Sequence, residues 1–554
     1  MTSWKAIAGI MLALNLASVN LARAQNAPRN PDIISTTEIA KQNEAVKRRF
    51  SDVPVTMVAP SLVPGRDDFT TDSEVKSFID GLKAKSTRLA LLPIGKSQQG
   101  RDMQVLLFTS EGKSSLEEAR ALNRPVLWFI GQQHGNEPAG GEAMLALAHE
   151  LASAESATIL SRVTVAIVPR ANPDGAAAFT RGGANRADLN RDHLLMLQPE
   201  TLAIHAAMSK LPPDVVFDHH EFSVVNRWIE KFNAIQAVDA MVLHATNPMV
   251  PVEISNLAEK LYRPAVEQAL KASGLSMFWY YTTSNRRSDT VVSMGGNNPS
   301  IARNAFGLRG AVSFLIETRG VGIGREGWQR RVATHLLAAR AVLQASADQA
   351  SELRKVIDAG RISSAKAEAD LVIAAKIPAR TVTIPLLDPE SGTDKPVEVQ
   401  FQDSRVIEPT TTRPRAAGYL VQGDDRDAVL RLRLLGIRLC RVSEARKIEV
   451  ISYQLDSVRP PTDRESINPD QAIKATLVKT SLDLQPGMLF VPMAQAGAGL
   501  VAATLEPDTP GSYVSVGIIP IAAAAKVAPV YALPRGTALG LRADTPGDRS
   551  VCEE

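Results

Sequence analysis

The chain has 554 residues, 45% of them hydrophobic and 22% charged, with 62 Lys and Arg against 59 Asp and Glu and only 2 cysteines. That hydrophobic share can fill real cores, which excludes a disordered chain, and a single bridge at most cannot frame a fold of this length. The formal net charge of +3 calls for neither nucleic acid nor an anionic membrane as partner, and the length predicts about two to four domains.

Residues 1–24 read as a secretory signal. A short basic start ends at Lys5, an apolar stretch from Ala6 to Ala22 is diluted by Asn15, Ser18 and Asn20, and Ala22-Arg23-Ala24 matches the A-x-A cleavage pattern. An uncleaved anchor is disfavoured because the stretch is short and polar for a span. Export is therefore expected, periplasmic or extracellular, with a mature start at Gln25 and no stable membrane insertion afterwards. Residues 25–68 carry Pro28, Pro31, Pro54, Pro60 and Pro64 without periodicity and read as an N-terminal arm.

Thr71 and Glu74 have capping-box spacing, and Val75, Phe78, Ile79 and Leu82 follow at helical intervals. Apolar runs at Val105 to Phe108, Val126 to Ile130, Val163 to Val168, Val215 to Phe217 and Ala311 to Ile316 then alternate with helix-like stretches such as Glu142 to Ala152. This alternation predicts an α/β domain over residues 69–350, with a mixed, mostly parallel sheet flanked by helices and a closing helix from about Gly327 to Ser346. Residues 370–554 read as one or two β-rich domains, with one helix capped by Asp424 and stopped at Gly436, and a frayed tail after Arg535. Cys440 and Cys552 either pair after export or leave a buried thiol at 440.

Chemistry gathers where strands end, the place where open α/β sheets form their crevices. Gly131-Gln132-Gln133-His134-Gly135-Asn136-Glu137-Pro138 follows the run Val126 to Ile130, and Asp218-His219-His220-Glu221 follows Val215 to Phe217. His134 and Glu137 are three residues apart, which lets an imidazole and a carboxylate converge on one ion. A third donor from another strand end would complete two histidines and one carboxylate, the set that catalytic zinc uses with one position left for water. Neighbouring strand residues face opposite ways, so only one of His219 and His220 can serve. Asn172-Pro173-Asp174-Gly175 is a turn signature, Thr180-Arg181 and Asp188-Leu189-Asn190-Arg191 follow it, and the last run delivers Glu317. Neither an H-E-x-x-H helix nor a G-x-S-x-G elbow occurs, and Ala90 stands where a phosphate loop needs glycine.

H-G-N-E-P at 134–138, N-P-D-G at 172–175, D-L-N-R at 188–191, D-x-H at 218–220 and Glu317 stand in the order seen in zinc carboxypeptidases of the carboxypeptidase A type. Gly95-Lys96-Ser97 to Gly100-Arg101 resembles the family's G-x-S-x-x-G-R, and the resemblance covers roughly residues 70–345, as of a secreted bacterial member. It implies one zinc per chain on His134, Glu137 and His220, with Glu317 as the general base toward a zinc-bound water. Arg181, with Arg186 as a rival, resembles the arginine that stabilises the oxyanion. Asn190 and Arg191 resemble the clamp on the substrate's terminal carboxylate, and Asp188 the acid that accepts the first histidine's other ring N–H.

The family's mobile tyrosine has no counterpart about twenty residues before Glu317, and a loop would be needed to bring in Tyr280 or Tyr281. Glu221 reads as a rim residue, and Asp192 and His193 as substrate contacts, as solvated groups or as supports behind the ligands. His149, His205, His244 and His335 read as surface histidines. Asn285, Arg286, Arg287, Asn297, Asn298, Arg303 and Arg319 make one stretch polar and basic, which suits either an acidic or polar substrate or a solvated loop. The expected activity is hydrolysis of a peptide's C-terminal bond. The alternatives are a zinc amidohydrolase or deacylase acting on N-acyl amino acids or cell-wall peptides, and a non-catalytic binding protein. The preferred C-terminal residue, the role of residues 370–554 and the oligomeric state are not readable from sequence.

Overall fold

The structure is a computed structural model that describes residues 31–35, 38–423, 425–459 and 473–552. The signal sequence, the predicted cleavage site and Asp424 lie outside these residues.

Eight strands form the main sheet: β1 (Leu89–Lys96), β2 (Asp102–Phe108), β3 (Val126–Gly131), β4 (Thr164–Val168), β5 (Val215–Ser223), β6 (Ala240–His244), β7 (Met277–Trp279) and β8 (Val312–Val321). Their spatial order is β1-β2-β4-β3-β5-β8-β6-β7. The central β4-β3-β5-β8 pairs are parallel, and β1, β2 and the β8–β6 pair are antiparallel. Side chains alternate across the sheet. Leu127 and Phe129 join the core under the helices Pro138–Leu151 and Trp328–Asp348, whereas Trp128 and Ile130 join the core on the other face with Ala203, Ile204 and Phe306. Layers on both faces explain why the central strands are apolar throughout rather than alternating. The helix Asp72–Lys85 starts on the full Thr71–Glu74 capping box.

After the helix Ala350–Lys366 the chain turns β-rich, and a seven-stranded antiparallel sheet carries the helices Arg426–Leu434 and Ala498–Leu505. Asp425 caps the first of these by accepting from Asp427 N and Ala428 N. This region is not free-standing: Leu194, Leu195, Met196 and Leu308 of the α/β layer lie in its main core. The strand Val397–Gln402 also pairs with Val292–Ser293, a short strand near the cavity described below.

The tail after Arg535 is ordered rather than frayed. Leu541–Ala543 pairs with Cys440–Val442, and Asp544 and Asp548 meet Arg433. Cys440 is bonded to Cys552 across 112 residues. A frayed end was expected because its apolar pattern is weak; tertiary ion pairs and the disulfide hold it instead.

Glu506 is buried in the C-terminal core, accepts from Tyr419 OH at 2.6 Å and Tyr453 OH at 2.9 Å, and burial raises its pKa to about 7. The folded state thus holds a proton that the unfolded chain releases near its ordinary 4.5, so stability is full below that value and is lost as pH rises toward 7. The loss amounts to about 3 kcal/mol. Glu506→Gln should flatten the fall in melting temperature between pH 5 and 8, and an unchanged slope in thermal melts would exclude Glu506 as its source.

Candidate active site

The loop after β3 carries the first two donors. Gln132 turns the chain at φ 52°, and Pro138 opens the next helix in the position where a missing N–H costs least. A Cβ on Gly135 would lie 1.9 Å from the carbonyl carbon of Gly175, so the two loops cross backbone on backbone. Asn172 joins them: its amide donates to Gln133 O and Arg181 O and its oxygen accepts from Gly175 N. Asp174 anchors the upstream motif, accepting from Ser97 Oγ at 2.7 Å and Arg101 Nη1 at 2.7 Å. The N-P-D-G and G-x-S-x-x-G-R motifs are therefore braces for the His134 loop.

His134, Glu137 and His220 each point one donor atom into a common space, all within 4.8 Å of one another. The two histidine Nδ1 atoms face each other at 3.1 Å, and each imidazole turns its Nε2 to an acid: His134 to Asp188 at 3.1 Å, His220 to Asp218 at 2.7 Å. Nε2–H donated to a carboxylate leaves the Nδ1 lone pair free, and two lone pairs with a carboxylate converging on one point suit a divalent cation. Burial opposes the charge of Glu137, but His134 and His220 overcome it and hold its carboxyl below the usual range. Burial also opposes a proton on His220, and Asp218 and Glu137 outweigh it to raise that pKa well above the ordinary value. A metal would compete with this proton.

His219 points the other way, its Nδ1 3.1 Å from His335 Nδ1 in the helix layer. Glu317 lies beside His220 in the parallel β5–β8 register and so shares its face. Burial and the Glu137 charge raise its pKa to about 7, against the pull of His220, His134 and Arg181. Asp188 accepts from Arg181 Nη2 at 2.9 Å while it holds His134, so one carboxylate orients two groups. Arg181, not Arg186, is the arginine that reaches Asp188 and Glu137. Asn190 is mostly committed: its oxygen accepts from Ala302 N at 2.9 Å and its nitrogen lies 3.1 Å from His220 Nε2. Arg191 donates to Asn190 O. His134, Glu137, Arg181, Asp188, Asn190, Arg191 and Glu317 line one cavity of about 530 Å³, with His220 joined to it through the three-donor group.

Several side chains depart from the sequence reading. Tyr280 does line this cavity, and burial followed by the Glu317 charge raises its pKa to about 12. It reaches the site from just beyond β7, 37 residues before Glu317, so spacing along the chain hid it. His205, His244 and His335 are buried, not surface residues. His193 makes no substrate contact but is buried behind the site, bonding His205 and Gln133, whose amide donates to the Asp218 that holds His220. Asp192 caps the turn at Leu197 and Gln198. Glu221, by contrast, borders the cavity as a rim residue should, with its carboxylate tied to Arg331 at 2.6 Å. Arg319 donates to Gln42 in the N-terminal arm, outside the site.

Residues 75–323 match the family model described as zinc carboxypeptidase. The chain is 31% identical over 456 residues to Carboxypeptidase 2 of Trichophyton rubrum, covering 82% of this chain and 84% of that protein. The chain belongs to the zinc carboxypeptidase family. It is accordingly a peptide hydrolase of the metallocarboxypeptidase class. Carboxypeptidase 2 of Trichophyton equinum is 28% identical, over 84% of this chain and 87% of that one. Both relatives are fungal and lend no support to a bacterial origin. Among solved structures, the metallo-carboxypeptidase from Burkholderia cenocepacia is similar at 18% identity, over 55% of this chain and 82% of that chain, with a TM-score of 0.37. A shared span of 456 residues is longer than the α/β domain, so this zinc carboxypeptidase shares sequence with its fungal relatives beyond that domain.

Proposed function

We propose that this chain is a zinc-dependent carboxypeptidase that removes the last residue of a peptide by attack of water on the terminal amide. The observation that carries it is the convergence of His134, Glu137 and His220 at the wall of a cavity that Glu317, Arg181 and Arg191 also line. His134 Nδ1, Glu137 and His220 Nδ1 would hold the zinc, which when bound supplies Lewis acidity and makes water a competent nucleophile near neutral pH.

The remaining work belongs to the chain. Glu317, with its pKa raised to about 7, is matched to take a proton from the attacking water and to return it to the leaving nitrogen. Arg181, held by Asp188, offers N–H groups to the scissile carbonyl as negative charge grows on its oxygen. Arg191 has no carboxylate within 4.0 Å among the described residues, so its guanidinium is available to the substrate's terminal carboxylate. Asp188 and Asp218 fix the ring orientation of the two histidines. Tyr280 lines the same cavity and can donate its phenolic O–H to the substrate.

The clamp gives the test. Peptides ending in a free carboxylate should be cut at least about 100-fold faster in kcat/KM than the same peptides amidated at the C-terminus. Equal rates on acid and amide would overturn the carboxypeptidase reading and favour the amidohydrolase.

A further inference from the structure

The cavity holds more positive charge than the family chemistry uses. Arg303, in the first turn of the helix Ala302–Leu308, is 3% exposed and lines the cavity. It donates one hydrogen bond, from Nη2 to Gly296 O at 2.7 Å, while its buried Nε has no partner and no carboxylate lies within 4.0 Å among the described residues. Arg227, on the same cavity, donates to Thr282 Oγ1 and Thr283 O, and its Nε is likewise buried without a partner. The other buried arginines of this domain have their donors satisfied: Arg330 pairs with Asp239, Arg331 with Glu221, and Arg319, which has no acid partner among the described residues, donates to Gln236 O and Gln42 Oε1. An unpaired buried guanidinium is costly, and leaving Arg303 so, beside the half-buried Arg227, in the wall of a substrate cavity makes sense if the substrate brings the counter-charge.

The carboxylates of the same cavity are already committed. Glu137 belongs to the three-donor group, Asp188 pairs with Arg181, and Glu221 pairs with Arg331. Glu317 is the proposed base, so the cavity offers no spare acid to Arg303. Arg303 also sits next to the clamp: the preceding residue, Ala302, donates its N–H to Asn190, the neighbour of Arg191. Gly295 packs against both groups, since a Cβ there would stand 3.5 Å from Arg303 Nη2 and 3.3 Å from the Tyr280 ring. Arg191 and Arg303 line the same cavity, so a terminal residue whose α-carboxylate Arg191 held would have Arg303 available to its side chain.

We infer that Arg303, supported by Arg227, selects peptides whose C-terminal residue is acidic, its guanidinium receiving the side-chain carboxylate of a terminal Glu or Asp. The inference rests on the carboxypeptidase reading of this site. An aliphatic or aromatic side chain would leave the Arg303 donors buried and unpaired, and a lysine would meet like charge.

The test uses the full-length, zinc-loaded protein and matched N-acylated peptides ending in Glu, Gln, Leu, Phe or Lys. Glu and Gln differ by charge at nearly constant shape. The expected result is a kcat/KM about 100-fold higher for Glu than for Gln, with Arg303→Met bringing that ratio to within about threefold of unity. Free glutamate should also inhibit the unmodified enzyme more strongly than free glutamine or leucine, a measurement that does not depend on the variant folding. Equal cleavage of Glu and Gln, or preference for Leu, Phe or Lys, overturns the inference while leaving the carboxypeptidase standing. An equal loss on all substrates in Arg303→Met would make Arg303 part of the α-carboxylate clamp and overturn it too. Cleavage of none of the peptides would remove the carboxypeptidase reading itself, and this inference with it.

Discussion

Glu317→Gln is expected to lower kcat for peptide hydrolysis by about 10³-fold while metal content and fold stay as in the parent enzyme. The amide keeps the size and the hydrogen-bonding reach of the carboxylate but cannot accept the proton of the attacking water. Glu317 is outside the three-donor group, so its replacement should leave metal binding in place. The base works only when ionised, so activity should fall as pH drops through its pKa, which burial and Glu137 raise to about 7. A bound dication lowers that value, which places the acid limb of the kcat/KM profile at or below about pH 7. The residual activity of Glu317→Gln should lack this limb. A metal-loaded, folded variant within tenfold of the parent would remove Glu317 from the chemistry.

His220→Ala should abolish both metal retention and activity, bringing zinc from about one per chain to none after dialysis. Two donors remain, and their carboxylate then loses the imidazole that sits 3.0 Å from it. The fold should survive, because β5 is held by ladders to β3 and β8 along most of its length. Asp218→Asn is the graded counterpart: His220 stays, but its Nε2 loses the carboxylate 2.7 Å away. Metal affinity should weaken by about 10–100-fold, with activity recovered by added zinc. A His220→Ala protein that keeps stoichiometric zinc through dialysis would show that the metal rests on other residues.

Much of the site was legible because its motifs are local and sit at strand ends. H-x-x-E spans one turn, so three-residue spacing alone brings His134 and Glu137 together, and alternating apolar runs placed that turn beyond β3 in an α/β layer. The capping box at Thr71 and Glu74 was readable for the same reason: both partners lie within one helical turn. The errors fall on residues whose partners are distant in sequence. His335 looked like a surface histidine, yet it meets His219 across 116 positions. Tyr280 seemed too far from Glu317 to matter, and Cys552 sat in a tail with little apolar pattern of its own.

The sequence by itself determined the family chemistry: which residue types stand at which strand ends, and that any metal must rest on nitrogen and oxygen donors, since two cysteines and eight histidines supply no thiolate cluster. Tertiary structure decided which tyrosine reaches the cavity, where His219 goes instead, and that Arg227 and Arg303 line the cavity without acid partners. The physical reason is range. Caps, turns and strand periodicity are set within a few residues and leave a readable pattern. Burial and charge pairing are set by what packs from the far side of the sheet, where separation along the chain carries no information.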